Sequence, residues 1–171
     1  MSFLAASLLL VALADQPAGP PQFKVVDIVF KIEDLETKVS DLEVKETDTE
    51  VRIELAADVL FEFDKAEILP KAEETLAQVA GVIRERSKGN VRVEGHTDSK
   101  GTDAYNQQLS RQRSESVVAW LRTQSGLADI QYVVSGFGAT RPVAPNAKPD
   151  GSDDPAGRQK NRRVEIILSK S

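Results

Sequence analysis

An alternating run of apolar residues limits the fold of this chain most strongly. Every odd-numbered position from Val51 to Phe63 is apolar, whereas Arg52, Glu54 and Asp58 fall between them. A period of two places the apolar side chains on one face of an extended segment. The run therefore predicts a half-buried strand over Val51–Phe63, bent at its two adjacent alanines.

Helical and extended periods alternate after this run. Pro70 suits the first turn of a helix that Gly89 ends, and Asp103 caps a second helix continuing to about Gln124. Three further strands are predicted at Asn90–Gly95, Gln131–Phe137 and Val164–Leu168. This order predicts an α+β fold, a two-layer sandwich with helices packed on one face of a small mixed β-sheet.

The N-terminal part differs from the rest in pattern. Phe3 to Ala14 carries no charge and ends in Ala-Leu-Ala, which is typical of a secretory signal peptide, the alternative being an uncleaved anchor. A strand-like alternation at Val26–Ile32 precedes a short heptad-like spacing that favours a short helix. We expect a signal peptide at 1–14, a Pro-rich leader at 15–22, an N-terminal extension at 23–56 and the main domain at 57–171, with no transmembrane segment after signal cleavage.

Charge and cysteine content exclude several classes of protein. The net charge of −5 divides into −8 over residues 15–63 and +3 over residues 64–171. This acidic balance argues against nucleic-acid binding, which draws on an excess of basic charge. The chain has no Cys, which removes disulfides, thiol nucleophiles and the lipobox cysteine of a lipoprotein. An anionic ligand group is expected to bind the basic part.

One arginine interrupts the apolar stripe of the second predicted helix. At 100° per residue, Arg113 and Asn106 fall within the arc that also contains Val117 and Leu121. A buried guanidinium needs an anionic partner, because leaving it unpaired costs several kcal/mol. Two interpretations follow: a structural salt bridge to an internal carboxylate, or half of an anion-binding site.

Asp98 is the carboxylate that lies most obviously within reach of this arginine. It belongs to the segment Gly95–Gly101, which joins a strand to the second helix, where α/β sheets bind their ligands. Asp98 equally suits a simple Asx turn. If Asp98 and Arg113 share one pocket, the pair is complementary to a zwitterion, with the carboxylate receiving an ammonium and the guanidinium a carboxylate.

A competing hypothesis assigns chemistry to Glu94, His96 and Asp98. The three share strand parity, and such a set is able to bind a metal or perform acid–base catalysis. However, the chain contains one His and none of the common catalytic or nucleotide-binding motifs, which favours a plain polar strand face. We therefore expect no enzyme, no cofactor and no metal. A basic cluster near the C-terminus remains, and it either protects an edge strand or joins the ligand site: Arg158, Lys160, Arg162 and Arg163.

Several blocks of sequence, in one order, carry a resemblance to a known family. They are LFEFDKAEI, EGHTDSKGTDAYNQQLSRQRSESVVAWL, GFGATRPVAPN and GRQKNRRVEI. Together they resemble the OmpA-like peptidoglycan-binding domain over about Val59 to Ser169. The resemblance implies non-covalent binding of the diaminopimelate residue in the stem peptide of the Gram-negative cell wall.

The resemblance also implies roles for individual residues. Asp98 contacts the ammonium of diaminopimelate and Arg113 its carboxylate, while Asn106 and either Arg162 or Arg163 line the same site. These implications predict a periplasmic, wall-associated module, at the outer membrane through a partner, that tethers or senses peptidoglycan. The extension at 23–56 lies outside the family core, and either extends the sheet or binds an envelope protein.

Overall fold

The computed structural model describes residues 42–170 of the chain. The predicted signal peptide, the Pro-rich leader and the predicted strand Val26–Ile32 lie outside these residues. A short 3₁₀ turn, Pro70–Ala72, leads directly into the helix Glu73–Arg86. The elements in chain order are β1 (Leu42–Glu46), β2 (Glu50–Ala56), α1 (Ala57–Leu60), α2 (Glu73–Arg86), β3 (Val91–His96), α3 (Asp103–Arg122), β4 (Tyr132–Gly136), α4 (Pro155–Asn161) and β5 (Arg163–Ser169).

The strands form one mixed sheet in the order β1-β2-β5-β3-β4. The last strand of the chain, β5, lies in the centre and pairs antiparallel with both β2 and β3, whereas β3 and β4 are parallel. In this register His96 and Ala56 both stand opposite Arg163. The carboxyl ends of β2 and β3 therefore meet the amino end of β5 at one edge of the sheet.

One face of the sheet carries the hydrophobic core. Alternate residues of β2, β3 and β5 point toward it, and the apolar stripes of α2 and α3 cover it. This arrangement confirms the predicted α+β fold with helices on one face of a mixed sheet. The fully buried core residues of these elements include Ile53, Leu55, Leu76, Ile83, Val93, Val117, Leu121, Ile166 and Leu168.

The predicted strand Val51–Phe63 is wrong beyond Ala56. The chain turns there into α1, in which Ala57 and Leu60 are both buried on one side of a single helical turn. Phe63, by contrast, is 92% exposed. The apolar alternation continues past the true end of the strand. In α1, however, the two buried residues are three positions apart, which is a helical spacing.

Residues 42–56, which the sequence places in an N-terminal extension, supply two strands of this sheet. β2 contributes three fully buried side chains to the common core, Val51, Ile53 and Leu55. Of the two alternatives for the extension, sheet extension applies to this described portion.

Helix α3 lies unusually close to β3 and β4 because small residues face each other. A Cβ atom added at Gly95 would lie 2.1 Å from the carbonyl oxygen of Ser110, and one at Gly136 would lie 2.5 Å from the backbone nitrogen of Arg111. Ser110 Oγ also accepts a hydrogen bond from the backbone N–H of Gly138 at 2.9 Å. This close approach fixes where the side chains of α3 stand relative to the loop after β3.

The other face of the sheet carries a buried network of charges. Glu165 accepts hydrogen bonds from Arg163, at 2.7 Å from Nε, and from Arg52. Glu94 is paired with Arg92 and Arg141 at 3.6 and 3.4 Å. Although burial by itself raises the pKa of Glu165, the positive charges of Arg163 and Arg52 lower it below its ordinary value.

His96 lies inside this network and is 2% exposed. Its ring stacks on Phe137 with 5.5 Å between centroids, and within the described residues neither ring nitrogen has a hydrogen-bond partner. Burial, together with the charge of Arg163, lowers the pKa of His96 to about 4, although Glu165 acts in the opposite direction. His96 is therefore neutral at pH 7.

Substitution of Gly95 by alanine is expected to destabilise the fold. The new Cβ collides with backbone atoms of α3, which cannot rotate away, so we expect a loss of about 1–3 kcal/mol in the free energy of unfolding. Chemical denaturation measures this loss. The matched control is Gly81→Ala in α2, where no atom lies within 4 Å of the new Cβ and where alanine stabilises a helix by up to about 1 kcal/mol. Equal stability of the two variants would contradict the packing.

Acidification is expected to destabilise the protein through His96. Because the folded state lowers the pKa of His96 from 6.5 to about 4, the unfolded chain binds the proton more tightly. The stabilisation is complete above pH 6.5 and is lost as the pH falls to about 4, amounting to at most about 3 kcal/mol. Denaturation of the wild type and of His96→Gln between pH 7 and 4 checks this, and parallel curves would refute it.

Candidate ligand-binding site

Asp98 lies in the loop between β3 and α3 and is 8% exposed. Its Oδ1 accepts the backbone N–H of Lys100 at 2.9 Å, which is an Asx turn. Its Oδ2 accepts a hydrogen bond from Nη1 of Arg162 at 2.8 Å, and Nε of Arg158 lies 3.6 Å from the same oxygen. The turn therefore orients the carboxylate toward the basic C-terminal residues.

Asn106 holds this loop against the first turns of α3. It is 3% exposed, and its Nδ2 donates to the carbonyl oxygens of Lys100 at 2.9 Å and Asp98 at 3.4 Å. Thr102, and not Asp103 as the sequence predicted, caps the helix, its hydroxyl accepting the backbone N–H of Tyr105. The side chain of Asn106 thus positions the backbone around Asp98.

Arg113 is 5% exposed and lies under the turn that follows α1. Its Nε donates to the carbonyl oxygen of Lys65 at 2.9 Å, and its guanidinium carbon lies 5.2 Å from the centre of the Phe61 ring. Within residues 42–170, no carboxylate forms an ion pair with it. The structural salt bridge that the sequence allowed is therefore absent from the described part of the chain.

Burial and nearby charged residues both affect the pKa of Arg113. Burial lowers the pKa of this guanidinium, and the charge of Arg162 acts in the same direction. The carboxylates of Asp58 and Asp64 oppose that change. An arginine remains charged despite such shifts, so Arg113 offers a desolvated positive charge beside Arg162.

Arg162 connects two carboxylates from different elements. Its Nε and Nη2 donate to Oδ1 and Oδ2 of Asp58 at 3.2 and 2.7 Å, while its Nη1 donates to Asp98 at 2.8 Å. Hydrogen bonding to Asp58 raises the pKa of Arg162 above its ordinary value. Asp58, Arg162 and Asp98 therefore form one hydrogen-bonded chain, which we call the Asp58–Arg162–Asp98 bridge.

The structure does not bring Arg163 to this bridge. Its guanidinium lies on the sheet face opposite α2 and α3 and is paired with Glu165, with 2.6 Å between Nη2 and Oε1. Arg162 is the C-cap residue of α4 and its guanidinium reaches Asp98, whereas β5 begins at Arg163 and directs that side chain to Glu165. Of the two arginines that the resemblance offered, the structure therefore places Arg162 beside Asp98.

The competing set of Glu94, His96 and Asp98 is divided between two places. Glu94 and His96 belong to the charge network, where their donor atoms and those of Glu165 lie within 4.8 Å of one another. Four arginines pair with the carboxylates of Glu94 and Glu165. That excess of positive charge disfavours the binding of a divalent cation. Asp98 faces the bridge instead.

Two residues important to the site were missed by the sequence reasoning. Asp58 was assigned to the solvent side of a strand, and only the turn into α1 brings it to Arg162. Asn161 is fully buried and joins the loop after β4 to α4, accepting the backbone N–H groups of Val143 and Ala144 at 2.8 and 3.0 Å. The sequence feature that could have pointed to Asn161 was its position between Lys160 and Arg162, within the basic cluster.

An open groove of about 740 Å³ begins beside the bridge. Both charged and aromatic side chains line it, so it offers space for a polar ligand next to the buried charges. The lining residues are Asp58, Phe61, Glu62, Phe63, Leu69, Lys71 and Arg162.

Comparisons with known proteins agree with this architecture. A photosystem I P700 chlorophyll a apoprotein A2 from Gloeobacter violaceus is 47% identical over 118 residues, which are 69% of this chain and 13% of that protein. Outer membrane porin F from Pseudomonas fluorescens is 43% identical over 118 residues, 69% of this chain and 33% of the porin. The peptidoglycan-binding protein ArfA from Mycobacterium bovis is 34% identical over 111 residues, 65% of this chain and 32% of ArfA.

A solved structure, the cell wall anchor of the type VI secretion system from Pseudomonas aeruginosa, superposes with a TM-score of 0.65 at 30% identity. It covers 77% of this chain and 89% of that one. The chain spans a third or less of the length of the three curated relatives named above.

Within residues 42–170 no helix has the length and apolar character needed to cross a membrane. The model of the OmpA family matches residues 60–154, which contain α2, α3, β3 and β4 and the loop that holds Asp98. Because this match includes more than half of the chain, the protein belongs to the OmpA family.

Proposed function

We propose that this protein binds peptidoglycan non-covalently through the diaminopimelate residue of the stem peptide. The free end of that residue is a zwitterion, with an ammonium and a carboxylate on one carbon. Asp98 is assigned to the ammonium and Arg113 to the carboxylate. The observation that carries this proposal is the buried guanidinium of Arg113, which has no carboxylate partner among the described residues.

The unused donors of Arg113 support the carboxylate half of this assignment. A guanidinium has five N–H donors, and in the described structure only Nε makes a hydrogen bond. The planar arrangement of the remaining donors matches the two oxygens of a carboxylate. A ligand carboxylate would therefore compensate the desolvation of Arg113.

The acceptor capacity of Asp98 supports the ammonium half. A carboxylate has about four lone-pair positions, and two hydrogen bonds occupy Asp98, from Lys100 N–H and Arg162 Nη1. Oxygen acceptors thus remain for the three N–H donors of an ammonium. Asn106, which fixes the loop backbone, and Arg162 complete the proposed site.

This assignment predicts selectivity among cell walls. A stem peptide with lysine in place of diaminopimelate retains the ammonium but lacks the distal carboxylate. Arg113 would then stay buried and unpaired in the complex, a penalty that discriminates against the lysine form. Both charges of diaminopimelate are needed for tight binding.

The relatives support a role at the cell wall. ArfA is named as a peptidoglycan-binding protein, and the superposed secretion-system protein is described as a cell wall anchor. By analogy we place this protein in the periplasm, where it tethers or senses the wall, at the outer membrane through a partner. The extension at 23–56, whose residues 42–56 also extend the sheet, is the proposed contact for such an envelope protein.

The alternative, a wall hydrolase acting through Glu94, His96 and Asp98, has less support. Hydrogen bonds to arginines hold Asp98 in the loop after β3 and Glu165, beside His96, on the sheet face opposite the core. Acid–base catalysis needs the groups within reach of one substrate atom. Release of soluble muropeptides from purified sacculi by the pure protein would favour the hydrolase, and unchanged sacculi favour binding alone.

Removal of either charge is expected to abolish wall binding. Asp98→Ala and Arg113→Ala should each reduce co-sedimentation with purified diaminopimelate-type sacculi at least tenfold, because each leaves one charge of the ligand unpaired. Free meso-diaminopimelate should release the wild type, whereas Nα-acetyl-lysine, whose ammonium and carboxylate lie on different carbons, should not.

The matched control is Arg111→Ala, on the same helix, whose exposed side chain pairs with Glu115. This variant should sediment like the wild type, and all three should retain the wild-type circular dichroism spectrum. Undiminished sedimentation of both site variants would refute the assigned site.

A further inference from the structure

We infer that Asp58 is a positioning residue for ligand binding, which holds Arg162 in an orientation that leaves Asp98 open to the ligand ammonium. The inference rests on the proposed function of the site. It assigns a role to a residue that neither the family motifs nor the sequence pattern singled out. Asp58 itself makes no contact with the ligand in this proposal.

The backbone brings Asp58 and Arg162 together independently of their side chains. β2 and β5 remain paired up to Ala56 and Arg163, and one step further the N–H of Ala57 donates to the carbonyl oxygen of Arg162 at 2.9 Å. α1 then begins and turns the next side chain, Asp58, toward the guanidinium. The backbone pairing thus places the two side chains next to each other.

The guanidinium of Arg162 makes more hydrogen bonds to Asp58 than to Asp98. Asp58 takes two of its nitrogens, Nε and Nη2, in a bidentate arrangement, and Asp98 takes only Nη1. Bidentate pairing of arginine with a carboxylate is the stronger arrangement. Asp98 consequently receives one bond from Arg162 at Oδ2, and its Oδ1 receives only the N–H of Lys100.

Without Asp58, Arg162 would pair more strongly with Asp98. Asp98 is the less exposed of the two carboxylates, its side chain being 11% exposed against 48% for Asp58. Since charges attract more strongly where water is excluded, a released Arg162 would turn onto Asp98 and pair with both of its oxygens. The ligand ammonium would then have to displace a bidentate ion pair.

A double-mutant cycle tests this role with a soluble tripeptide, L-Ala-γ-D-Glu-meso-diaminopimelate, titrated by calorimetry. Asp58→Asn should weaken binding about five- to tenfold in the wild type. In Arg162→Ala, where no guanidinium remains to be positioned, Asp58→Asn should change the affinity less than twofold. A direct electrostatic effect of Asp58 on the ammonium would instead persist in the Arg162→Ala background, and that outcome would overturn the inference.

Two controls separate this inference from its premise. Glu74→Gln removes one negative charge from the exposed surface of α2, outside the groove and without breaking an ion pair of the described residues, and it should bind like the wild type. If the wild type fails to bind the tripeptide, the proposed function is wrong. If the wild type binds and Asp58→Asn binds equally well, only the role of Asp58 is wrong.

A ligand-free measurement tests the orientation itself. In the wild type the Nε–H of Arg162 is hydrogen-bonded to Asp58, so its NMR signal should be protected from exchange with water. In Asp58→Asn that protection should fall or the signal should shift. An unchanged signal would show that Asp58 does not orient Arg162.

Discussion

The central position of β5 is the constraint on which the rest of the structure depends. The last strand of the chain inserts between β2 and β3 and pairs antiparallel with both. Its inward residues complete the core, and its amino end meets the carboxyl ends of its two neighbours. Three segments distant in sequence therefore converge at one edge of the sheet, each with a charged residue: Asp58, Asp98 and Arg162.

Close packing of α3 on the sheet supplies the fourth charge. Gly95 and Gly136 let the helix backbone approach the strands to distances that any Cβ would prevent. The approach buries the stripe that contains Arg113, and Phe61 and the carbonyl oxygen of Lys65 hold its guanidinium. The buried arginine is thus a result of the same packing that stabilises the fold, and its unused hydrogen-bond donors make a ligand carboxylate a suitable partner.

The charged residues form two separate groups. On the sheet face opposite α2 and α3, positive and negative side chains saturate one another, and His96 is neutral among them. Around the bridge, the carboxylate of Asp98 and the guanidinium of Arg113 keep unused hydrogen-bonding capacity. This difference distinguishes a structural charge network from a surface suited to a zwitterionic ligand, although both contain the same residue types.

The sequence by itself determined the order of β2, α2, β3, α3, β4 and β5 and the face that each buries, because periodicity and turn residues are local properties. It also singled out Asp98 and Arg113 as candidate ligand contacts, but it did not predict β1, α1 or α4. It could not locate the end of β2, since the apolar alternation of the odd-numbered residues continues to Phe63 although the chain enters a helical turn at Ala57. Nor could it choose between Arg162 and Arg163, or find Asp58, because those assignments depend on the register of β5 against two strands far away in the chain. Only the tertiary structure decided them, as backbone pairing across more than 100 residues sets which side chain faces which.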